Sequence, residues 1–432
     1  MLYICKLFTN TKIIMVLEIR LRNFFSIKDE VVLDLRAAAI NSSIAKNLTN
    51  NYFEINKYKL LKTVTIYGAN ASGKSNIIKT IRFCNAMIFE SHSHNENTIY
   101  NFQPFKFKGL NKKPSYYLIR FIDNGIEYEY SFSLTRTQII TESLYYYPKG
   151  RRSEVFTRNE LAGDSKKEKY TFQSVIKRPM DVAQNTSNKT LFISRASQMD
   201  REIAKDIFNY FHNKFILRYL EFGISTIESL SNQNKKRLLE ALKIADSDII
   251  DLKIKVLKKE GKHVNANLSD LTLSVEDVIQ DHLQIKSYHK TSPNVAFDFF
   301  TEESSGTIKL FFIMLTILDI VKNDKILLID EIGESLHTDI IQYIFNLFNA
   351  SNKAQLICTT HNTNFLDLKK FRKDQIYFVN KNDYSSTDLY SLFDYSDFRD
   401  TMNLEKAYLQ GRFDAIPFVN DSIENLKSII NG

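Results

Sequence analysis

Between Val16 and Asn23 apolar and polar residues alternate one for one, with Leu17, Ile19 and Leu21 on one side and Glu18, Arg20 and Arg22 on the other. A period of two is the strand period, so this stretch is expected to form a strand with one exposed face. Val31 to Leu35 repeats the pattern after the polar turn Lys28-Asp29-Glu30, and the two runs together predict a hairpin. The apolar run Val64 to Tyr67 is continuous and meets Gly68, and helical spacing follows from Asn76 to about Phe89. After a polar loop, Ser91 to Thr98, the period of two returns in Tyr116–Asp123, Ile126–Leu134 and Ile139–Tyr147. Turns such as Asp123-Asn124-Gly125 separate these runs, which predicts a β-meander inserted after the helix.

Residues 196–245 return to helical spacing, in Arg201 to Leu220 and Lys235 to Ala245. Ile250 to Val256 alternates again with Asp251, Lys253 and Lys255 outward, and Lys258-Lys-Glu-Gly-Lys262 reads as a basic hairpin turn. A long apolar helix, Ile308 to Lys322, then precedes two buried strands, Ile326-Leu-Leu-Ile-Asp330-Glu331, ending in two acids, and Gln355-Leu-Ile-Cys-Thr-Thr-His361, ending in a histidine. The mixture predicts an α/β fold, a mixed sheet with flanking helices, interrupted by β-rich and helical inserts. Three segments are expected: an N-terminal lobe at 16–195, a mainly helical insert at 196–295 and a C-terminal lobe at 296–432.

The turn between the Val64 run and its helix carries the first chemistry. Gly68-Ala-Asn-Ala-Ser-Gly-Lys-Ser75 fits G-x-x-x-x-G-K-[ST], the phosphate-binding loop, in the strand-before, helix-after setting that the motif needs. Gly68 and Gly73 let successive backbone N–H groups turn toward one anion. Lys74 is expected to reach the β- and γ-phosphates of ATP and Ser75 to hold Mg²⁺, with Asn70, Ser72 and Asn76 as further nucleotide contacts. The positive end of the following helix adds to the same site.

Composition narrows the setting. The 432 residues include 22 Tyr and 32 Phe but 12 Gly and 6 Pro, material for packed cores with few long disordered segments. The longest apolar stretch, Leu310 to Val321, contains Thr316 and Asp319 and is expected to be a buried helix, not a membrane span. The first residues lack a secretory layout, and Met15 competes with Met1 as the start because the first strand begins beside it. Cys5, Cys84 and Cys358 have unrelated spacings, giving neither a disulfide framework nor a zinc site, so a reducing cytoplasm is expected. Asp246 and Asp248 lack the third acid of a metal site. A net charge of +8 is compatible with DNA or RNA as partner. The basic turns Lys149–Arg152 and Gly163–Lys169 read either as solvated loops or as a phosphate-contacting patch.

Beyond residue 300 the remaining chemistry accumulates in one order. Asp330 and Glu331 end an apolar strand, with Asp330 expected to polarise a Mg²⁺-bound water and Glu331 to orient the attacking water as base. Ser304-Ser305-Gly306 opens the long helix and offers a second phosphate cradle, fitted to the nucleotide of another subunit because Lys74 already holds one γ-phosphate. The same residues also read as an ordinary helix cap. Glu334-Ser-Leu-His337 follows where subunits would meet, and His361, at the end of the Gln355 strand, could contact the γ-phosphate.

In this order the set resembles the ABC-type ATPase heads of the SMC/RecF/OLD group. Gly68, Gly73, Lys74 and Ser75 match Walker A, Ser304 to Gly306 the signature motif, Asp330 and Glu331 Walker B and its catalytic glutamate, Ser335 and Leu336 the D-loop, and His361 the switch histidine. For the Q-loop, Gln103 in NFQPFKF competes with a motif centred on Pro104-Phe105. NFQPFKF, ESLYYYPKG, FRKDQIYFVNK and NLEKAYLQGRFDAIPF are similar to bacterial ATP-binding proteins of the RloA/AbiLi type, associated with abortive infection and restriction loci. The resemblance covers Val16 to Phe418. It implies ATP hydrolysis, ATP-driven dimerisation or higher homo-oligomers, and often a separately encoded effector such as a Toprim nuclease. Only about 70 residues follow His361, too few for an appended Toprim domain, so any nuclease is expected on another polypeptide. A DNA-binding repair ATPase of the RecF/SMC kind and an ATP-gated scaffold with little turnover are the competing readings. A membrane-transporter motor is disfavoured, because the signature reads ESSGT rather than LSGGQ.

Overall fold

The computed structural model describes residues 14–216, 223–244, 248–267, 272–334, 336–417, 423 and 428–430. Met1, Cys5, Asp246, Ser335, Phe418 and the expected helix ends at Leu220 and Ala245 lie outside them. The chain divides into two compact units, one of residues 1–217, 324–332 and 345–432, the other of 218–323 and 333–344. The expected boundaries at 195/196 and 295/296 do not coincide with this division.

Two sheets build the first unit. The larger runs in the order Tyr170–Phe172, Ser153–Asn159, Ile139–Tyr146, Ile126–Leu134, Ser115–Asp123, Ile14–Arg22, Val31–Asp34, antiparallel throughout. The expected meander is therefore joined to the N-terminal hairpin as one sheet. The second sheet has the order Phe215–Ile216, Ile326–Ile329, Gln355–Thr359, Thr63–Gly68, Ile376–Lys381, Thr387–Ser391, parallel except for its last strand. Its central strands are buried along their whole length, which is why they read as unbroken apolar runs. The helix Lys74–Glu90 places Ile77, Ile78, Ile81, Cys84 and Ile88 in one core with Val64 and Ile66 of this sheet and Ile19, Ile119 and Phe132 of the other. Gln355 joins the two sheets as a backbone would, accepting from Val16 N at 2.8 Å and donating to the Val16 and Leu61 carbonyls at 3.1 Å.

Several expectations shift. The first strand is half-exposed only at its end, where Arg20 and Arg22 face outward: a bulge between Val16 and Glu18 breaks the alternation, and Glu18 is fully buried against Arg20 and Arg36. The expected helix from Arg201 ends at Lys214, because Phe215 and Ile216 extend to pair with Ile326 and Leu327. The basic turns keep Lys149, Arg151, Arg152 and Lys167 exposed, as solvated loops would, while some of their cations bond within the fold. Arg152 pairs with Glu129 and stacks on Tyr145, Lys166 donates to the Thr186 carbonyl, and Lys169 pairs with Glu160.

In the second unit, helix Ile224–Ile244 is followed by a three-stranded antiparallel sheet, Ile249–Asn267, Thr272–His289 and Ser292–Asp298. The segment expected to be mainly helical is thus helical in its first half and extended in its second. Lys258–Lys262 is not a turn. It lies within the first strand, which stays in register with the second from Ile249↔His289 to Asn267↔Thr272. Helix Ser305–Lys322 belongs to the same unit.

A buried ion pair ties the large sheet to the helical segment beneath it. Glu142 accepts from the backbone N–H groups of Phe192 and Ile193 at 2.6 and 3.0 Å and from Tyr130 Oη at 2.8 Å. Arg158, fully buried, reaches Glu142 at 3.5 Å and donates to the Thr190 and Ser187 carbonyls at 2.7 and 3.0 Å. Removing one partner strands a charge in the core. Arg158→Met should lower unfolding free energy by about 3–5 kcal/mol in denaturant titrations, and pairing it with Glu142→Leu should recover part of that loss.

Candidate functional site

The ends of three parallel strands set the site. Thr359 stands opposite Ile66 and Cys358 opposite Ile329, so the chains leaving Gly68, Ile329 and Thr359 emerge at one edge. At that edge Gly68 packs so closely on the neighbouring strand that a Cβ would collide with the Val379 carbonyl. Gly73 has φ +113°, and a Cβ there would strike Thr387 Oγ1 and come within 2.8 Å of Ser26 Oγ. Both glycines are thus required by contacts, and Ala71 is also left-handed at φ 62°. Alternating handedness turns successive N–H groups inward, the shape of an anion nest.

Thr387 and Ser26 brace the loop from outside. Thr387 Oγ1 lies 2.8 Å from the Ser72 carbonyl oxygen and 2.7 Å from Ser26 Oγ, and Asn76 donates to Ser26 Oγ at 2.7 Å. Asn76, expected to contact nucleotide, has its side-chain amide turned to this brace. Asn70 and Ser75 are exposed, and Ser72 Oγ is buried without a hydrogen-bond partner. That hydroxyl lies against Gly68, 2.8 Å from where a Cβ on that residue would stand. Lys74 donates to the Gly68 and Ala69 carbonyls, each at 2.8 Å. Burial lowers its ammonium pKa to about 8, with Glu331 and Asp330 acting in the opposite direction.

Across the edge, one hydroxyl orders the acids. Thr359 Oγ1 donates to Asp330 at 2.7 Å and accepts from the Glu331 N–H at 2.8 Å. Glu331 has φ 55°, and its carboxylate lies 3.5 Å from His361 Nε2. Burial and the nearby Lys74 lower the His361 pKa against the pull of Glu331. Lys74, Asp330, Glu331 and His361 therefore form one set.

Gln103 is exposed, and its backbone carbonyl accepts from Phe25 N at 2.7 Å, beside the Ser26 brace. The structure brings its main chain, rather than a bonded side chain, toward the phosphate loop. Sequence reading missed Ser26, Thr359 and Thr387. Thr359 sits in the Thr-Thr-His run already singled out, but Thr387 lies far along the chain in a segment without a motif.

In the second unit, Ser304 caps its helix by accepting from Thr307 N at 3.0 Å. Ser304 and Ser305 are exposed, and a Cβ on Gly306 would meet only Ser304 Oγ at 3.7 Å. Lys309, one turn on, donates to the Glu334 carbonyl at 2.5 Å and so ties this helix to the loop before Leu336.

A family profile described as "AAA domain, putative AbiEii toxin, Type IV TA system" matches residues 64–367. No protein of curated function matches the chain. Among solved structures, the "SmcHead bound to the C-winged helix domain of ScpA" is 17% identical with a TM-score of 0.40, over 91% of this chain and 99% of that one. The "SMC head domain from Thermotoga maritima" is 13% identical at TM-score 0.38, over 87% and 98%. The "recombination mediator protein RecF-ATP in RecFOR pathway" is 13% identical at TM-score 0.34, over 82% and 95%.

Lys74 should be partly neutral in the empty loop above pH 8 and fully protonated once a polyphosphate neutralises its surroundings. Nucleotide binding at pH 8.5 should therefore take up protons, and affinity should fall as pH rises through about 8. Titration calorimetry in buffers of different ionisation enthalpy would read that uptake.

Proposed function

The chain belongs to this AAA-domain family, and we propose that it is an ABC-type ATPase that hydrolyses ATP with Mg²⁺ and closes on it as a head-to-tail dimer. The observation that carries the reading is the convergence of Lys74, Asp330, Glu331 and His361 at the mouth of a loop with one orphaned buried hydroxyl. Backbone N–H groups of residues 69–75 and the Lys74 ammonium grip the β- and γ-phosphates. Bound Mg²⁺ would neutralise charge on those oxygens. Glu331 accepts the proton of the attacking water, and His361 is placed to donate to the γ-phosphate. Thr359 holds both acids in position.

The dimer draws support from the second unit. Among the described residues nothing packs against Gly306 closely enough to require glycine, and Ser304 and Ser305 are exposed. A close-approaching phosphate from another copy would use the free N–H groups of this helix start beside the Ser304 cap.

The biological setting we assign is a sensor or regulatory ATPase of an abortive-infection system, working with a separately encoded effector, for which a nuclease is the leading candidate. The family description and the long shared motifs support it. A second reading, nucleic-acid contact, has its own observation. Lys106, Lys108, Lys112 and Lys113 are exposed around Phe107, 57% exposed, and Lys108 Nζ sits 3.8 Å from the ring centre of Tyr384, itself 59% exposed. Cations interleaved with open aromatic faces suit a single strand. Turnover stimulated by single-stranded DNA, and lost in Lys106→Glu/Lys108→Glu, would carry that reading. Unchanged turnover would remove it.

Lys74→Ala should abolish nucleotide binding. Glu331→Gln should bind ATP but turn it over about 10²–10⁴-fold more slowly, and its mass in solution should double on adding ATP–Mg²⁺. Hydrolysis unaffected by both changes would refute the site.

A further inference from the structure

Glu303 directly precedes the Ser304 cap, yet its carboxylate points away from the open Ser304–Ser305 turn, into the sheet of its own unit. The side chain is 9% exposed, accepts from Ser287 Oγ at 2.5 Å, and lies 2.8 Å from His289 Nε2. The other ring nitrogen, Nδ1, lies 2.5 Å from Asp248 Oδ1. An ionised carboxylate only accepts, and a neutral imidazole has one N–H. Carboxylates on both ring nitrogens therefore require a proton on each, and the short distances are those of charge-assisted bonds.

Burial opposes that charge, but the hydrogen bonds to Asp248 and Glu303 outweigh it and raise the imidazole pKa. Among the described residues these two are the charged groups that reach the ring, and strand Ser292–Asp298 brings Phe297 edge-on to it at 4.7 Å. Ser287 and His289 end the strand that begins at Thr272, so the anchor sits at the base of the long two-stranded ribbon.

We propose that His289 is a positioning residue: bridging Asp248 and Glu303, it fixes the Ser304–Gly306 turn to the base of the ribbon, and the turn is held for a partner's nucleotide only while the imidazole carries both protons. This rests on the head-to-tail reading above. The sign follows from the raised pKa. The anchor is complete below the ordinary histidine range and is lost as pH rises through the raised value.

Two measurements test this. In ¹³C-histidine NMR of the full chain, the resonance that His289→Gln removes should titrate above the ordinary histidine value, and Glu303→Gln should bring it down. A resonance titrating at or below the ordinary value overturns the proposal. Second, the ATP-dependent dimer of Glu331→Gln protein should weaken about tenfold as pH rises through that titration, the loss of one charge-assisted bond. Added His289→Arg, a permanent cation with several donors, should keep it tight. Lys74 titrates alike in both proteins, so their difference isolates position 289. Superimposable pH curves would overturn the positioning role and leave the dimer standing. No ATP-dependent dimer in either protein at any pH would overturn the head-to-tail reading, and this inference with it.

Discussion

The shared register of three parallel strands is the constraint on which the site depends. Because Gln355–Thr359 lies between Thr63–Gly68 and Ile326–Ile329, the phosphate loop and the two acids leave one sheet edge with a single strand between them. That middle strand supplies the Thr359 hydroxyl, which orders both acids, and leads into His361. A one-residue slip would point each of these side chains to the opposite face. The fully buried central strands and the double anchor of Gln355 on Val16 and Leu61 resist such a slip.

Close packing then shapes the cradle. Gly68 and Gly73 are needed because other parts of the chain press against them, the Val379 carbonyl and Thr387 with Ser26. Gly306 differs. Among the described residues, a Cβ there would meet only Ser304 Oγ, at 3.7 Å. Lys309 on the Glu334 carbonyl and His289 on Glu303 tie that turn into its unit from two directions. Two glycines are thus fixed from within, and the proposed two-copy site asks the open one to meet a nucleotide held by another chain.

Much of this was legible in the sequence wherever one local rule governed. Ile126–Leu134 was read to the residue, because strict alternation and an Asp-Asn-Gly turn agree. The phosphate loop, the acidic strand end and the Ser304 cap are also local signals. What escaped depended on distant partners. Glu18 reads as a surface residue, and only the bulge and the guanidinium of Arg36 bring it into the interior. The turn expected at Lys258–Lys262 was suggested by Gly261, yet cross-strand pairing carries the ribbon through it, Gly261 opposite Val278. Thr387 braces Ser72 across more than three hundred residues, a contact without any local signature. No described helix is long and apolar enough to cross a membrane.

The central claim, an ATP site completed by a second copy, is tested most directly by mixing two inactive variants. Lys74→Ala lacks a working phosphate loop, and Gly306→Arg blocks the turn that would close a neighbour's nucleotide. In a mixed dimer one composite site combines the intact loop of one chain with the intact turn of the other. If both variants assemble at random, the account predicts that equal mixing restores about a quarter of wild-type phosphate release, since half the dimers are mixed and each has one good site of two. A mixture as inactive as its components, or Gly306→Arg protein that is fully active alone, would contradict it.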